Sequence, residues 1–168
     1  LLERLDRLDE DASLMFDGDE RFHLVIVGGG ALILLERISR ATHDVDAISA
    51  SRELFGLLEK YDINCRVQTY INNFPYNYED RLVPLNIGGR KIDFYTASLE
   101  DIVIAKLYSA RATDIRDVEN EKVVEAIDWE LLEKLATAED EAKATALNPR
   151  CYADLKASYD DYVRRFRP

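Results

Sequence analysis

The run FHLVIVGGGALILLERIS, residues 22–39, constrains the fold more than any other part of the chain. Phe22 to Val27 is short, apolar and rich in β-branched residues, which predicts a buried strand. The apolar run ALILLERIS predicts a helix buried on most faces. Between the two stand Gly28, Gly29 and Gly30. A glycine-rich turn from a strand into a helix presents backbone N–H groups and the positive end of the helix dipole to an anion. Packing a helix directly after a strand in this way points to an α/β architecture.

Several glycine motifs compete for this turn. A Walker A loop needs a lysine followed by Ser or Thr after its second glycine, and GGGALILLE has none. A dinucleotide fingerprint needs glycine at positions 28, 30 and 33, and position 33 is Ile33. Asp46 does lie 18 residues past Gly28, close to where that fold keeps its ribose-binding acid, so a degraded version stays open. A tight turn with no ligand stays open as well.

The remaining elements are read from periodicity and punctuation. Leu1, Leu5, Leu8 and Ala12 predict a helix to about Phe16, ended by DGD at 17–19. Asp44 to Ile48 predicts a second strand and Ser51 to Tyr61 a helix. Asn64–Thr69 and Arg81–Asn86 predict strands on either side of the loop INNFPYNYED. Gly88-Gly89 then predicts a hairpin into a strand over Lys91–Tyr95. Ser98-Leu-Glu-Asp101 is a capping-box pattern that opens a helical half. Further helices are expected over Asp114–Ile127, after Asp128 through WELLEKLATAEDEAKATAL, and from Cys151 to about Phe166, with Asn148-Pro149 as a stop. The expected organisation is an α/β (α+β) core over residues 1–97 and a helical region over 98–168. In the loop, Tyr70, Phe74, Tyr76 and Tyr78 either pack on one another or stack on a base.

At 168 residues and 47% hydrophobic content the chain can bury one substantial core. No apolar run approaches the roughly 18 residues of a membrane span. The N-terminal LLERLDRLDEDAS is charged and amphipathic, unlike a secretory signal. Cys65 and Cys151 are far apart and lack metal-ligand spacing, and His23 and His43 are the only histidines. Two reduced thiols in a cytoplasmic protein is the expectation. The net charge of −11 opposes sequence-independent wrapping of nucleic acid, which relies on Lys and Arg. It leaves room for a small site that handles a nucleotide or one RNA end.

Asp44-Val45-Asp46 carries the chemistry. In a strand, residues i and i+2 share a face, so the two aspartates project together while Val45 turns inward. Two rises of ~3.3 Å put their Cβ atoms about 6–7 Å apart. Carboxylates aimed at one spot repel unless a cation sits between them. Mg²⁺ suits such a site, since it binds one or two carboxylates together with substrate phosphates. The alternative is a solvated strand that happens to read DVD. Asp93 lies on the predicted strand between apolar neighbours and is expected to join the pair if its strand runs beside theirs. Three such carboxylates can hold two metal ions for phosphoryl or nucleotidyl transfer.

This pattern resembles the polymerase-β-like nucleotidyltransferase superfamily. VGGGAL followed by Arg40-Ala-Thr42-His-Asp44-Val-Asp46 is similar to the minimal nucleotidyltransferases of the AbiEii-like group. So is the order Lys106, Arg111, Asp114, Asp117 further on. The likeness covers roughly Phe22 to Val118. It implies a mixed sheet flanked by helices and transfer of a nucleoside monophosphate from an NTP to an RNA (tRNA) or protein hydroxyl. It implies that Gly28, Gly29 and Gly30 cradle the triphosphate, and that Asp44, Asp46 and Asp93 ligate Mg²⁺. Lys106 is implied to contact a phosphate, with Arg40, Thr42 and Arg111 assisting. Asp114 and Asp117 are implied to orient Lys106 or to meet the base. A toxin–antitoxin or phage-defence role with a cognate antitoxin follows from the same likeness. Gly30 stands where many superfamily members place Ser. That substitution, with the overall acidity, keeps open a nucleotide-binding or partner-docking module without turnover.

Overall fold

The computed structural model describes residues 1–49, 51–67, 71–137 and 149–168, with 149–151 by their backbone only. It is a mixed α/β structure. The elements in chain order are α1 (Leu2–Met15), β1 (Phe22–Val27), α2 (Gly28–Leu34), β2 (Val45–Ile48), α3 (Phe55–Lys60), β3 (Ile63–Asn64), β4 (Val83–Gly88) and β5 (Ile92–Thr96). They continue as α4 (Leu99–Ser109), α5 (Ala112–Val118), α6 (Glu121–Val124), α7 (Trp129–Thr137) and α8 (Pro149–Phe166). Short 3₁₀ turns occupy Arg52–Leu54 and Tyr78–Arg81. Among the described residues no helix is long and apolar enough to cross a membrane.

The chain divides into two compact units. The first holds Leu1–Val67 and Leu82–Ala97, and the second holds Gln68–Arg81 and Ser98–Pro168.

The first unit is built on a five-stranded sheet of order β3-β2-β1-β5-β4. β1 runs parallel to β5 and antiparallel to β2. β2 is parallel to β3, and β4 is antiparallel to β5. The β4–β5 hairpin is the one expected, its turn made by Gly88 (φ +62) and Gly89 (φ +92). A dinucleotide fold needs β2 parallel to β1, so the antiparallel pairing removes that reading.

Strand alternation sorts the sheet into two faces. Register places Leu24 opposite Phe94 and Ile26 opposite Ala47 and Thr96. These five residues share one face with Val45, and Leu24, Ile26, Val45 and Ala47 are fully buried there. Each such aliphatic side chain contributes about 1.5–3 kcal/mol by leaving water. α2 lies over this face: a methyl at Gly30 would meet Ile26 Cγ2 at 3.4 Å and Val45 Cγ1 at 3.7 Å. Those are ordinary contact distances, so packing does not require glycine at position 30. Gly28 differs, because its φ of +64 is left-handed backbone.

α1 buries Leu5, Leu8 and Ala12, the stripe its spacing predicts, and Asp9 beside them. Asp9 was not anticipated. Its carboxylate accepts from the N–H groups of Arg90 (2.8 Å), Lys91 (2.8 Å) and Ile92 (2.7 Å), which ties α1 to the hairpin. The predicted strand over Asn64–Thr69 reduces to Ile63–Asn64, with residues 68–70, and so Tyr70, outside the described residues.

In the second unit α4 is buried along almost its whole length and packs on α5, α7 and α8. Ser98 caps it as expected, its Oγ accepting from the Asp101 N–H at 3.1 Å. Asp101 also takes two bonds from Arg81, which therefore lies in a 3₁₀ turn instead of opening a strand. Phe74 and Tyr78 are buried and pack ring on ring at 5.0 Å, whereas Tyr76 is 57% exposed. The helix expected over Asp114–Ile127 is split into α5 and α6 at Asn120, whose side chain caps α6. Asp128 caps α7 by accepting from Glu130 and Leu131. The tail expected for that helix falls outside the described residues, as does the Cys151 side chain.

Candidate active site

β2 presents Asp44 and Asp46 as the alternation demands. Val45 is fully buried between them, Asp46 is half-buried, and Asp44, one residue before the strand, is exposed. Both line a cavity of about 550 Å³ whose other walls are Val45, Glu59, Asp62, Ile63 and Asn64. Every side chain of that lining is acidic, amide or aliphatic. Among the described residues the Asp44 carboxylate carries no hydrogen bond or ion pair. Asp46 Oδ1 accepts one hydrogen bond, from Asn64 Nδ2 at 2.8 Å.

The glycine turn is next to this pair. Asp46 is the register partner of Val27, and Gly28, Gly29 and Gly30 follow Val27 directly. Thr42 Oγ1 donates to the Asp44 carbonyl at 2.8 Å, which fastens the loop entering β2. Arg4 does the same from α1, donating to the His43 carbonyl at 3.0 Å. Arg40 is exposed in that loop.

Asp93 does not join the pair. It pairs with His23 on β1, whereas Asp46 pairs with Val27, four residues further along the strand. The two acids share a sheet face, because His23 and Val27 are an even number of residues apart. They are nonetheless separated by four residue rises and two strand spacings, about 16 Å in all. Asp93 is instead held by Arg21, whose Nε donates at 2.9 Å and whose Nη2 closes a second, shorter bond. These bonds draw the Asp93 carboxyl below the usual aspartate range. His23 Nε2 is 4.0 Å away, its ring stacked on Tyr95. The third metal ligand expected from sequence is therefore not supplied by Asp93. No other trio takes its place: among the described residues no group of three His, Cys, Asp or Glu side chains is placed to hold a metal ion.

Lys106 lies in the second unit, 1% exposed, in a salt-bridge cluster. Its Nζ donates to Asp114 Oδ1 at 2.6 Å and to Asp117 Oδ2 at 2.9 Å. Arg111 Nε donates to Asp114 Oδ2 at 2.7 Å, and the Ser109 hydroxyl bonds the same oxygen. Burial alone pushes the Asp114 pKa up. The bonds from Lys106, Ser109 and Arg111, with the Lys106 charge, outweigh it and draw the net value down. The ammonium is thus held between two buried carboxylates, the two acids that the family likeness sets beside Lys106. The cluster staples α4 to α5.

Glu59, Asp62 and Asn64 are the lining residues that sequence reasoning missed. A signal was available. Asp62-Ile63-Asn64 repeats the polar–apolar–polar alternation of Asp44-Val45-Asp46, and the register stacks Ile63 on Val45 and Asn64 on Asp46. Cys65, just beyond, is a free thiol whose pKa burial raises to about 11, so it is not a reactive thiolate.

Neither curated proteins nor solved structures include a match to this chain. The family described as "Nucleotidyltransferase of unknown function (DUF6036)" matches residues 3–167. Its name agrees with the glycine turn beside Asp44-Val45-Asp46, and its extent covers both units. The chain belongs to this nucleotidyltransferase family.

Proposed function

We propose that this protein is a Mg²⁺-dependent nucleotidyltransferase that moves a nucleoside monophosphate from an NTP to a hydroxyl acceptor. The observation that carries the reading is the placement of Asp44 and Asp46 on one cavity, next to the turn at Gly28 to Gly30. The donor set fits the cation. Asp44 offers an unengaged carboxylate and Asp46 keeps Oδ2, which gives two hard oxygen ligands and leaves further positions for phosphate oxygens and water. A cation held by Asp44 and Asp46 would supply charge neutralisation for the triphosphate and for the departing pyrophosphate. The amides at Gly28 and Gly29 lie beside it to receive phosphate oxygens. Thr42 fixes the approach to Asp44, and Arg40 stands exposed on the same loop. The sequence likeness extends the reading to an RNA or protein acceptor within a toxin–antitoxin or phage-defence system, with a cognate antitoxin as partner.

A nucleotide-binding module without turnover is the second reading. The position of Asp93, four residues along β1 from the other acids, favours it.

The test is pyrophosphate release from each NTP with Mg²⁺ and candidate RNA and protein acceptors, run beside direct nucleotide binding. Transfer by the wild type and its loss in Asp46→Asn support the enzyme. Binding without release points to the module, and activity that survives Asp46→Asn removes the two-aspartate site.

A further inference from the structure

Asp46 and Asn64 face each other across the β2–β3 ladder, and β3 is only two residues long. A ladder that short fixes little by itself, so side-chain bonds decide how its groups are aimed. Asn64 is pinned at both ends of its amide. Its Oδ1 accepts from the Arg66 N–H at 3.0 Å, and its Nδ2 donates to Asp46 Oδ1 at 2.8 Å. Turning the amide over would set oxygen against carboxylate oxygen and N–H against N–H, so the network admits one orientation.

We infer that Asn64 is a positioning residue for Asp46: it holds Oδ1, fixes the carboxylate plane, and leaves Oδ2 to the cavity that Asp44 shares. The inference rests on the reading of Asp44 and Asp46 as cation ligands. The two carboxylates, borne on Cβ atoms about 6–7 Å apart, repel each other, and an untethered Asp46 lowers that repulsion by rotating outward. The Asn64 bond opposes the rotation before any cation arrives. Outer hydrogen-bond partners of ligating carboxylates act in this way, and their loss typically weakens metal affinity about 10–100-fold. Asn64 is exposed, so the same bond adds little to folding. Its removal is therefore expected to move cation affinity and leave stability alone.

The experiment titrates Mn²⁺ alone into the full chain, reads binding by water-proton relaxation, and takes the metal-free Tm of every variant. Asn64→Ser is the informative change: a serine hydroxyl still accepts from the Arg66 N–H but is too short to reach Asp46. Asn64→Leu keeps the volume and loses both bonds, and serves if the serine variant folds poorly. The expected result is Mn²⁺ affinity about 10–100-fold weaker in both variants with an unchanged metal-free Tm, and none in Asp46→Asn. Wild-type affinity in Asn64→Ser, with binding lost in Asp46→Asn, overturns the positioning role and spares the site. A fall in metal-free Tm matching the loss of affinity makes Asn64 merely structural and also overturns it. No Mn²⁺ binding by the wild type, or full binding by Asp46→Asn, removes the site itself and this inference with it.

Discussion

Lys106 and Asp114 form an ion pair with Nζ 2.6 Å from Oδ1 and neither side chain more than 5% exposed. Asp117 shares the ammonium at 2.9 Å. Desolvating such charges is costly, and the arrangement holds because each carboxylate meets a cation at bonding distance. Lys106→Met would remove the ammonium that Asp114 and Asp117 share and leave both carboxylates buried without it. We expect a loss of about 3–5 kcal/mol in urea denaturation, with nucleotide affinity retained by the molecules that remain folded. A variant of wild-type stability that no longer binds nucleotide would return Lys106 to the phosphate-contacting role implied by the family resemblance.

Acid should attack the same cluster. The folded-state pKa of Asp114 lies below its unfolded value, so the unfolded chain takes up the proton more readily. The stability this group contributes is thus complete above its unfolded pKa of about 3.9 and is lost as pH falls through the lower folded value. Asp114→Asn should be less stable than the wild type at pH 7, and the gap should narrow as the pH falls below the unfolded value of about 3.9. Denaturation midpoints measured at successively lower pH check the sign. A gap that widens on acidification would mean that the Asp114 pKa is raised.

What the sequence revealed about the site follows from period. Alternation is local, so Asp44 and Asp46 on one side of buried Val45 could be read directly, as could a glycine turn at residues 28–30. Asp93 shows where that logic ends. Its face was right, but its place along β1 depends on the register of a parallel pair closed by the long connection between β1 and β5, which no local pattern encodes. Asp114 and Asp117 were set beside Lys106 only by the family likeness, which implied that they orient it or meet the base. That they enclose the lysine instead of facing water depends on burial, which single-sequence spacing does not report.

Asp9 offers a test of the first unit independent of the candidate site. Its carboxylate satisfies three backbone N–H groups of the hairpin and lies where a Gly88 side chain would be: a Cβ there would meet Asp9 Oδ2 at 2.8 Å and Phe94 Cε2 at 2.9 Å. Asp9→Ala leaves three amides without an acceptor. Since an unsatisfied buried group costs about 1–3 kcal/mol, a loss of at least about 3 kcal/mol is expected. Asp9→Asn keeps one acceptor oxygen and should lose less. Equal stability of Asp9→Ala and wild type by chemical denaturation would show that the clamp is dispensable.

Ala110 gives a prediction of the opposite sign. It closes α4 at φ +49 and ψ 20, with its N–H donating to the Lys106 carbonyl at 3.0 Å. Left-handed backbone costs an L-residue about 1–2 kcal/mol, and helices ending this way usually place glycine there. Asp62 and Asn77, also at positive φ, are residue types that tolerate it, whereas alanine has no polar side chain to compensate. The Ala110 methyl is exposed, so its removal forfeits little packing. Ala110→Gly should therefore stabilise the protein by about 0.5–1 kcal/mol, the strain relieved exceeding the added freedom of the unfolded chain. Thermal unfolding of the variant should show a higher Tm with the Lys106 cluster intact. A lower Tm would mean that the rigidity of alanine at this junction matters more than its strained φ.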